Sequence, residues 1–177
     1  MKTGKLIFLL LLIPLLDGCP TVPVPDGDDL NAPRLTLKVL DSPGSPTFVA
    51  PGNNLGTCAK VRDLPANLIL SANDSGGVAS FSVNIFGGES LDVIVEPEGT
   101  DYEVIRDTES KTETLTFRPD PPFRMVQPSL VVTMHVDEGF DSVIPAVSAS
   151  AIDESGNRRE LSGIDLRKLG GGLAVCP

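Results

Sequence analysis

Apolar residues occupy every second position in several short segments of this chain, and this alternation is typical of strands. In the first segment, Arg34–Leu40, the apolar positions are Leu35, Leu37 and Val39. The pattern recurs at Ala79–Phe86 and at the apolar sets Leu91, Val93 and Val95; Leu115 and Phe117; Leu130, Val132, Met134 and Val136; and Val147, Ala149 and Ala151. A period of two indicates a sheet with one buried face, whereas an amphipathic helix has a period of 3.6. The sequence therefore predicts an all-β fold.

Turn-forming residues separate the alternating segments. They are Asp74–Gly77, Gly87-Gly88, Pro97–Gly99, Asp137–Gly139 and Asp153–Asn157. Glycine, proline and short polar side chains at these places favour tight turns. Arg118–Pro128 holds four prolines, which excludes it from a central strand, and we interpret it as a crossover between sheets. About seven to nine short strands at this spacing predict an antiparallel sandwich of two sheets.

Two segments have the pattern of a known class of extracellular domain. Asn67–Phe86 runs two alternating segments through an Asp-Ser-Gly-Gly turn, and Val147–Asn157 ends a strand of small residues in Asp-x-x-Gly-Asn. The first is similar to the B-turn-C hairpin of bacterial immunoglobulin-like and cadherin-like repeats, and the second resembles their penultimate strand and final turn. The resemblance implies an immunoglobulin-like sandwich in an extracytoplasmic setting. It implies no activity, because sandwiches carry many functions.

The N-terminal segment has the features of a secretory signal. Lys2 and Lys5 come first, and Leu6–Leu16 is an apolar run of about eleven residues, shorter than the roughly 20 that a transmembrane helix needs. The alternative, a buried core helix, is disfavoured because the run starts close to Met1 and has no polar face. We predict a signal peptide at residues 1–18.

The end of this run carries a second motif. Leu16-Asp17-Gly18-Cys19 resembles the lipobox of bacterial lipoproteins, in which the cysteine becomes the first mature residue and is acylated. The resemblance implies lipidation of Cys19 and a stable membrane anchor. Asp17 departs from the family, which usually has a small uncharged residue there. Ordinary secretion, with Cys19 free for a disulfide, is the alternative. Pro20 after the cysteine resembles lipoproteins that are passed to the outer membrane.

A linker joins the anchor to the sandwich. Residues 20–32 are rich in proline and then in aspartate, a composition that favours an extended, disordered spacer. We predict a signal peptide at 1–18, a lipidated cysteine and linker at 19–32, and an immunoglobulin-like domain at 33–177. A mature chain of about 160 residues is long enough to bury a core.

The charge of the chain argues against several classes of partner. The formal net charge is -10, and such a surface repels phosphate groups, so we predict no nucleic-acid binding. The chain has no Trp and one Tyr, Tyr102, which disfavours carbohydrate binding because sugars stack on aromatic faces. The predicted partners are the membrane, through the anchor, and a protein that the sequence does not identify.

Three cysteines are present, and lipidation of Cys19 leaves Cys58 and Cys176. In an oxidising envelope these two are expected to form a disulfide bond. The glycines at 170–172 would allow the C-terminal tail to fold back. Two free thiols are the alternative.

The sequence contains no HExxH, GxSxG, phosphate-binding loop or dinucleotide fingerprint. The single histidine, His135, lies between Met134 and Val136 in a predicted strand, and we interpret it as solvent-facing and not as a general base. One histidine without a CxxC pair also disfavours zinc. We therefore predict no catalytic residues and no bound cofactor, with calcium as the one exception to test.

The calcium hypothesis comes from the expected topology. In an immunoglobulin-like domain the B–C and F–G loops lie at the same end, which would bring Asp74 close to Asp153 and Glu154. Clustered oxygen ligands are what Ca²⁺ requires, and Asn157 would add another. The alternative is that these residues only form turns.

The features combine into a leading hypothesis of function. It is a non-enzymatic lipoprotein of the bacterial cell envelope, expected at the outer membrane, that presents its domain for binding or structural contact. One alternative is an accessory subunit of a larger envelope machine, which would expose an apolar patch. The other is an envelope hydrolase whose site is built from loop carboxylates.

Overall fold

The computed structural model describes residues 30–51, 57–119, 128–140, 143–170 and 176, so the leader, Cys19 and most of the linker lie outside it. The described residues form strands without a helix, and therefore include no helix able to cross a membrane. The strands are β1 (Arg34–Val39), β2 (Thr47–Val49), β3 (Cys58–Val61), β4 (Ala66–Asn73), β5 (Val78–Phe86), β6 (Gly88–Glu96), β7 (Asp101–Asp107), β8 (Thr112–Arg118), β9 (Ser129–Glu138), β10 (Ala146–Asp153) and β11 (Arg158–Lys168).

The strands form two sheets that pack into a sandwich. Their orders are β2-β1-β4-β9-β6 and β3-β11-β10-β5-β8-β7. Strands β1, β4, β9 and β6 have the A-B-E-D arrangement of an immunoglobulin domain, and β5, β10 and β11 have its C-F-G arrangement. The predicted all-β, immunoglobulin-like sandwich is confirmed. The chain adds β2 and β3 between strands A and B, and the β7–β8 hairpin between strands D and E.

Four details of the prediction are wrong. The described residues form eleven strands, not seven to nine, and β3 pairs with β11 in parallel. Asn67–Phe86 is not a hairpin, because β4 and β5 lie in different sheets. Leu91 does not share a face with Val93 and Val95, because a bulge shifts the register of β6 after Leu91. Asp92 takes a φ of 50° at this bulge, which turns the strand locally.

The connection from β5 to β6 requires glycine. Gly87 is the one residue between these strands, and the chain changes sheets there. Its φ is +68°, and a Cβ at this position would lie 2.3 Å from a methyl carbon of Val143. A Cβ at Gly88 would lie 2.8 Å from the carbonyl oxygen of Asp137. The Gly-Gly pair therefore provides both the left-handed backbone and the close approach to β9 and to the β9–β10 connection.

The inner faces of the two sheets form one apolar core. Phe81 of β5 and Phe117 of β8 are its largest side chains, with ring centroids 5.9 Å apart. A polar contact joins the sheets beside this core. Glu113 of β8 is buried, and its carboxylate accepts hydrogen bonds from the backbone N–H and the hydroxyl of Ser90 on β6. These hydrogen bonds satisfy a buried carboxyl group, which would be costly to bury without partners.

The structure joins Cys58 to Cys176, with their Cα atoms 5.7 Å apart and a sequence separation of 118. Cys58 starts β3, the edge strand next to β11. The bond therefore ties the end of the chain to the edge of the six-stranded sheet, as the cysteine pattern predicts.

Candidate functional site

The loops at one end of the sandwich lie side by side, as the topology predicts. The backbone N–H of Glu154, in the β10–β11 turn, donates to the carbonyl of Gly77, in the β4–β5 turn, at 3.1 Å. Asp74 is buried, and its Oδ1 accepts from the N–H of Gly76 at 2.8 Å. The Asp74 carboxylate therefore helps to close its own turn.

Asp153 has the same role in the second turn. It is buried, its Oδ1 accepts from the backbone N–H of Asn157 at 2.7 Å, and its Oδ2 accepts from the Asn157 side-chain amide at 2.8 Å. Both carboxylates are thus bound to neighbouring turn atoms. In the described part of the chain, no three His, Cys, Asp or Glu side chains are grouped as metal ligands. Calcium at Asp74, Asp153 and Glu154 stays a prediction.

The prediction is tested by thermal unfolding in millimolar Ca²⁺ and in chelator. A calcium site would raise the melting temperature in Ca²⁺, and Asp74→Ala or Asp153→Ala would each abolish that rise. Asp63→Asn, an exposed change in another loop, is the matched control and should retain it. Identical melting curves in calcium and chelator would leave the two aspartates as turn formers.

His135 lies on the outer face of the five-stranded sheet, since its neighbours Met134 and Val136 are fully buried. Its Nδ1 is 3.2 Å from Oδ2 of Asp92, the residue at the β6 bulge. The side chain of Asp92 is 78% exposed. His135 therefore lies at the surface, as predicted, and the structure pairs it with an exposed carboxylate.

Strand β7 is the surface feature that stands out. All seven residues, Asp101–Asp107, are exposed. Alternate residues of a strand point to opposite faces, so the described residues bury neither face of β7. One edge pairs with β8 without a shift in register, and β7 is the last strand of its sheet. No described strand pairs with its second edge, which leaves alternate backbone N–H and carbonyl groups of β7 facing outward.

The side chains of β7 differ between its two faces. Tyr102 and Val104 project toward the inner side, because they pair with the buried Phe117 and Leu115. The Tyr102 and Phe117 rings lie 5.2 Å apart, yet Tyr102 and Val104 remain 43% and 48% exposed. The other face carries Asp101, Glu103, Ile105 and Asp107.

Arg106 joins the end of β7 to the opposite sheet. Its Nη1 lies 2.5 Å from Oε2 of Glu89, its Nη2 donates to the carbonyl of Gly139 at 3.0 Å, and its guanidinium lies 4.9 Å from the centroid of the Phe140 ring. The Arg106 guanidinium is therefore already paired with groups of this protein. It does not neutralise the acidic outer face of β7.

Asp107 ends β7 and organises the turn into β8. The Ser110 hydroxyl and the backbone N–H groups of Ser110 and Glu109 donate to its carboxylate, and these hydrogen bonds hold the pKa of Asp107 below its usual value. Hydrogen bonds to the charged form have this effect because they stabilise it. Asp107 therefore remains ionised at lower pH than an ordinary aspartate.

Neither a protein-family model nor a curated protein matches this sequence. One structure of similar fold is the C-terminal domain of the Streptococcus agalactiae AgI/II polypeptide BspA, at 13% identity and a TM-score of 0.45, covering 76% of this chain and 50% of that one. Another is the C-terminal domain of the Streptococcus pyogenes antigen I/II-family protein AspA, at 11% and 0.42, covering 77% and 46%. A third is a non-cellulosomal cohesin from Archaeoglobus fulgidus, at 10% and 0.35, covering 65% and 86%. The chain spans about half the length of the antigen I/II chains.

Strand β7 is not predicted from the sequence. Its two apolar inner residues, Tyr102 and Val104, are followed by Arg106, and this mixture hides the period of two. The residues at the end of β7 do indicate a turn. Asp107 three residues before Ser110 is typical of a side-chain-capped turn, and the strand residues Leu115 and Phe117 follow soon after. Together these features indicate a hairpin.

Proposed function

We propose that this protein is a non-enzymatic lipoprotein of the bacterial cell envelope, anchored through Cys19, whose immunoglobulin-like domain binds a protein partner. The observation that carries the binding role is β7, a regular strand with both faces exposed and one edge that no described strand pairs with. Such an edge is a template for pairing with another chain.

The proposed location draws support from covalent structure. A disulfide between Cys58 and Cys176 suits an oxidising compartment such as the periplasm or the cell surface. The lipobox-like Leu16–Cys19 and the proline-rich residues 20–32 would attach the domain to a membrane and hold it at a distance. A tethered binding domain needs these parts in this order.

The anchor is tested by cell fractionation of the full chain in a diderm bacterium. Wild type is expected in the membrane fraction and Cys19→Ser in the soluble envelope fraction, because the acyl chains supply the membrane affinity. Globomycin, which blocks lipoprotein signal cleavage, should leave the precursor. Cys58→Ser, which keeps the lipobox, is the control and should remain with the membrane. An intact mass that fits an unmodified N-terminus at another cleavage site would contradict the anchor.

The binding role is tested by photo-crosslinking in the cells of the host. The crosslinking residue is placed at position 105 on β7 and, in separate variants, at exposed positions on other strands such as 160 on β11. A reproducible protein adduct from any of these surfaces supports a binding domain. Absence of an adduct from every position would contradict it.

A further inference from the structure

Four strands lie at the sheet edges, and they differ in their capacity to accept another strand. Strands β2 and β3 have three and four residues. Strand β6 is interrupted by the bulge after Leu91. Short and bulged edges resist pairing with another chain. Strand β7 has seven residues in unbroken register with β8, and is therefore the long, regular free edge among the described strands.

The charge around this edge selects the partner. Between residues 96 and 110 lie six acidic side chains and one cation, Arg106, which already binds Glu89 and the Gly139 carbonyl. Arg118 of β8 lies opposite Asp101 and adds a second cation beside this strand, so the carboxylates remain in excess. Glu96, Glu98 and all residues of Asp101–Ser110 are exposed, so these carboxylates face solvent. A second copy of the chain would bring two acidic edges together, and like charges opposite each other destabilise a strand pair.

We propose that β7 accepts an extended, basic segment of a partner protein as an additional strand of the six-stranded sheet. The backbone of β7 would supply the hydrogen bonds. On one face the partner would place Lys or Arg beside Asp101, Glu103 and Asp107. On the other it would place apolar side chains beside Tyr102 and Val104, which are half exposed. The partner is thus a strand with one basic and one apolar face. This assignment rests on the proposed binding role and names its partner class.

The test uses the full mature chain, residues 19–177, and a blocked peptide of the sequence Lys-Val-Lys-Val-Lys-Val-Lys. We expect saturable binding that weakens with added salt. Asp101→Asn with Glu103→Gln should weaken it about fivefold to tenfold, since each removes a cross-strand charge pair. Asp63→Asn with Glu160→Gln removes the same number of exposed charges elsewhere and should leave the affinity unchanged. Asp107 is kept because it holds the turn.

Hydrogen exchange separates strand pairing from simple charge attraction. The outward-facing amides of β7 should exchange rapidly in the free protein and slow at least about tenfold with the peptide. A peptide methylated on its backbone nitrogens along one edge keeps its charges but loses its donors, and should give no protection. Binding without protection of β7, or no binding, would overturn the assignment. A homodimer that protects these amides would overturn it too, since it would assign the edge to a second copy. Adducts from other surfaces but none from position 105 would overturn this assignment and leave the binding role intact.

Discussion

Replacing both Cys58 and Cys176 by serine is expected to lower the free energy of unfolding by about 4–5 kcal/mol in the chain-entropy account of disulfides. The bond joins residues 118 positions apart, so it restricts almost the entire domain in the unfolded state. The restriction is lost when the bond is removed, while the native contacts of β3 remain. These include the hydrogen bonds from the N–H of Asp165 to the carbonyl of Thr57 and from the N–H of Leu169 to the carbonyl of Val61.

Chemical denaturation of residues 19–177 measures this effect, with Cys19→Ser in every sample so that a third thiol does not interfere. The oxidised reference should unfold at a higher denaturant concentration than the double variant, and reduction should bring the reference to the same midpoint. Thiol titration of the unfolded, unreduced reference should find no free thiol. Two reactive thiols there, or equal midpoints for reference and variant, would contradict the bond.

Phe81→Ala is expected to lower the free energy of unfolding by about 3–5 kcal/mol. Phe81 is 0% exposed and lies in β5, between β10 and β8. It pairs directly with Ala151 and Phe117, and these partners cannot fill the space that a lost ring leaves. The cost therefore combines lost burial with an unfilled cavity in the centre of the core.

The same strand offers a matched control. Phe86 also lies in β5 but is 47% exposed, so Phe86→Ala should cost about 1 kcal/mol or less. Denaturant unfolding of both variants, with the disulfide intact, makes the comparison. Equal losses would mean that Phe81 does not occupy the centre of the core. The near-ultraviolet signal of Tyr102 provides a second measurement. The Tyr102 ring packs on Phe117, so this signal should be unchanged in Phe86→Ala.

The candidate site was only partly accessible from the sequence. The approach of the β4–β5 and β10–β11 turns followed from the immunoglobulin-like pattern, and the hydrogen bond between Glu154 and Gly77 confirms it. The roles of the carboxylates are visible only in the folded structure, where Asp74 and Asp153 accept hydrogen bonds from neighbouring turn atoms. The β7 edge was not predicted, because the alternation that identifies a strand in a sequence comes from one buried face, and neither face of β7 is buried.

The sequence by itself determined the all-β class, the main core faces and the sheet-changing crossover at Arg118–Pro128. Burial of one face imposes a period of two, and proline removes a backbone donor, so both leave local traces. The order of the strands, the bulge that turns Leu91 away from Val93, and the free edge of β7 were decided by the tertiary structure. Backbone hydrogen-bonding groups are the same for nearly every residue type. Which strands pair therefore depends on how distant faces fit together, and local sequence does not encode that choice.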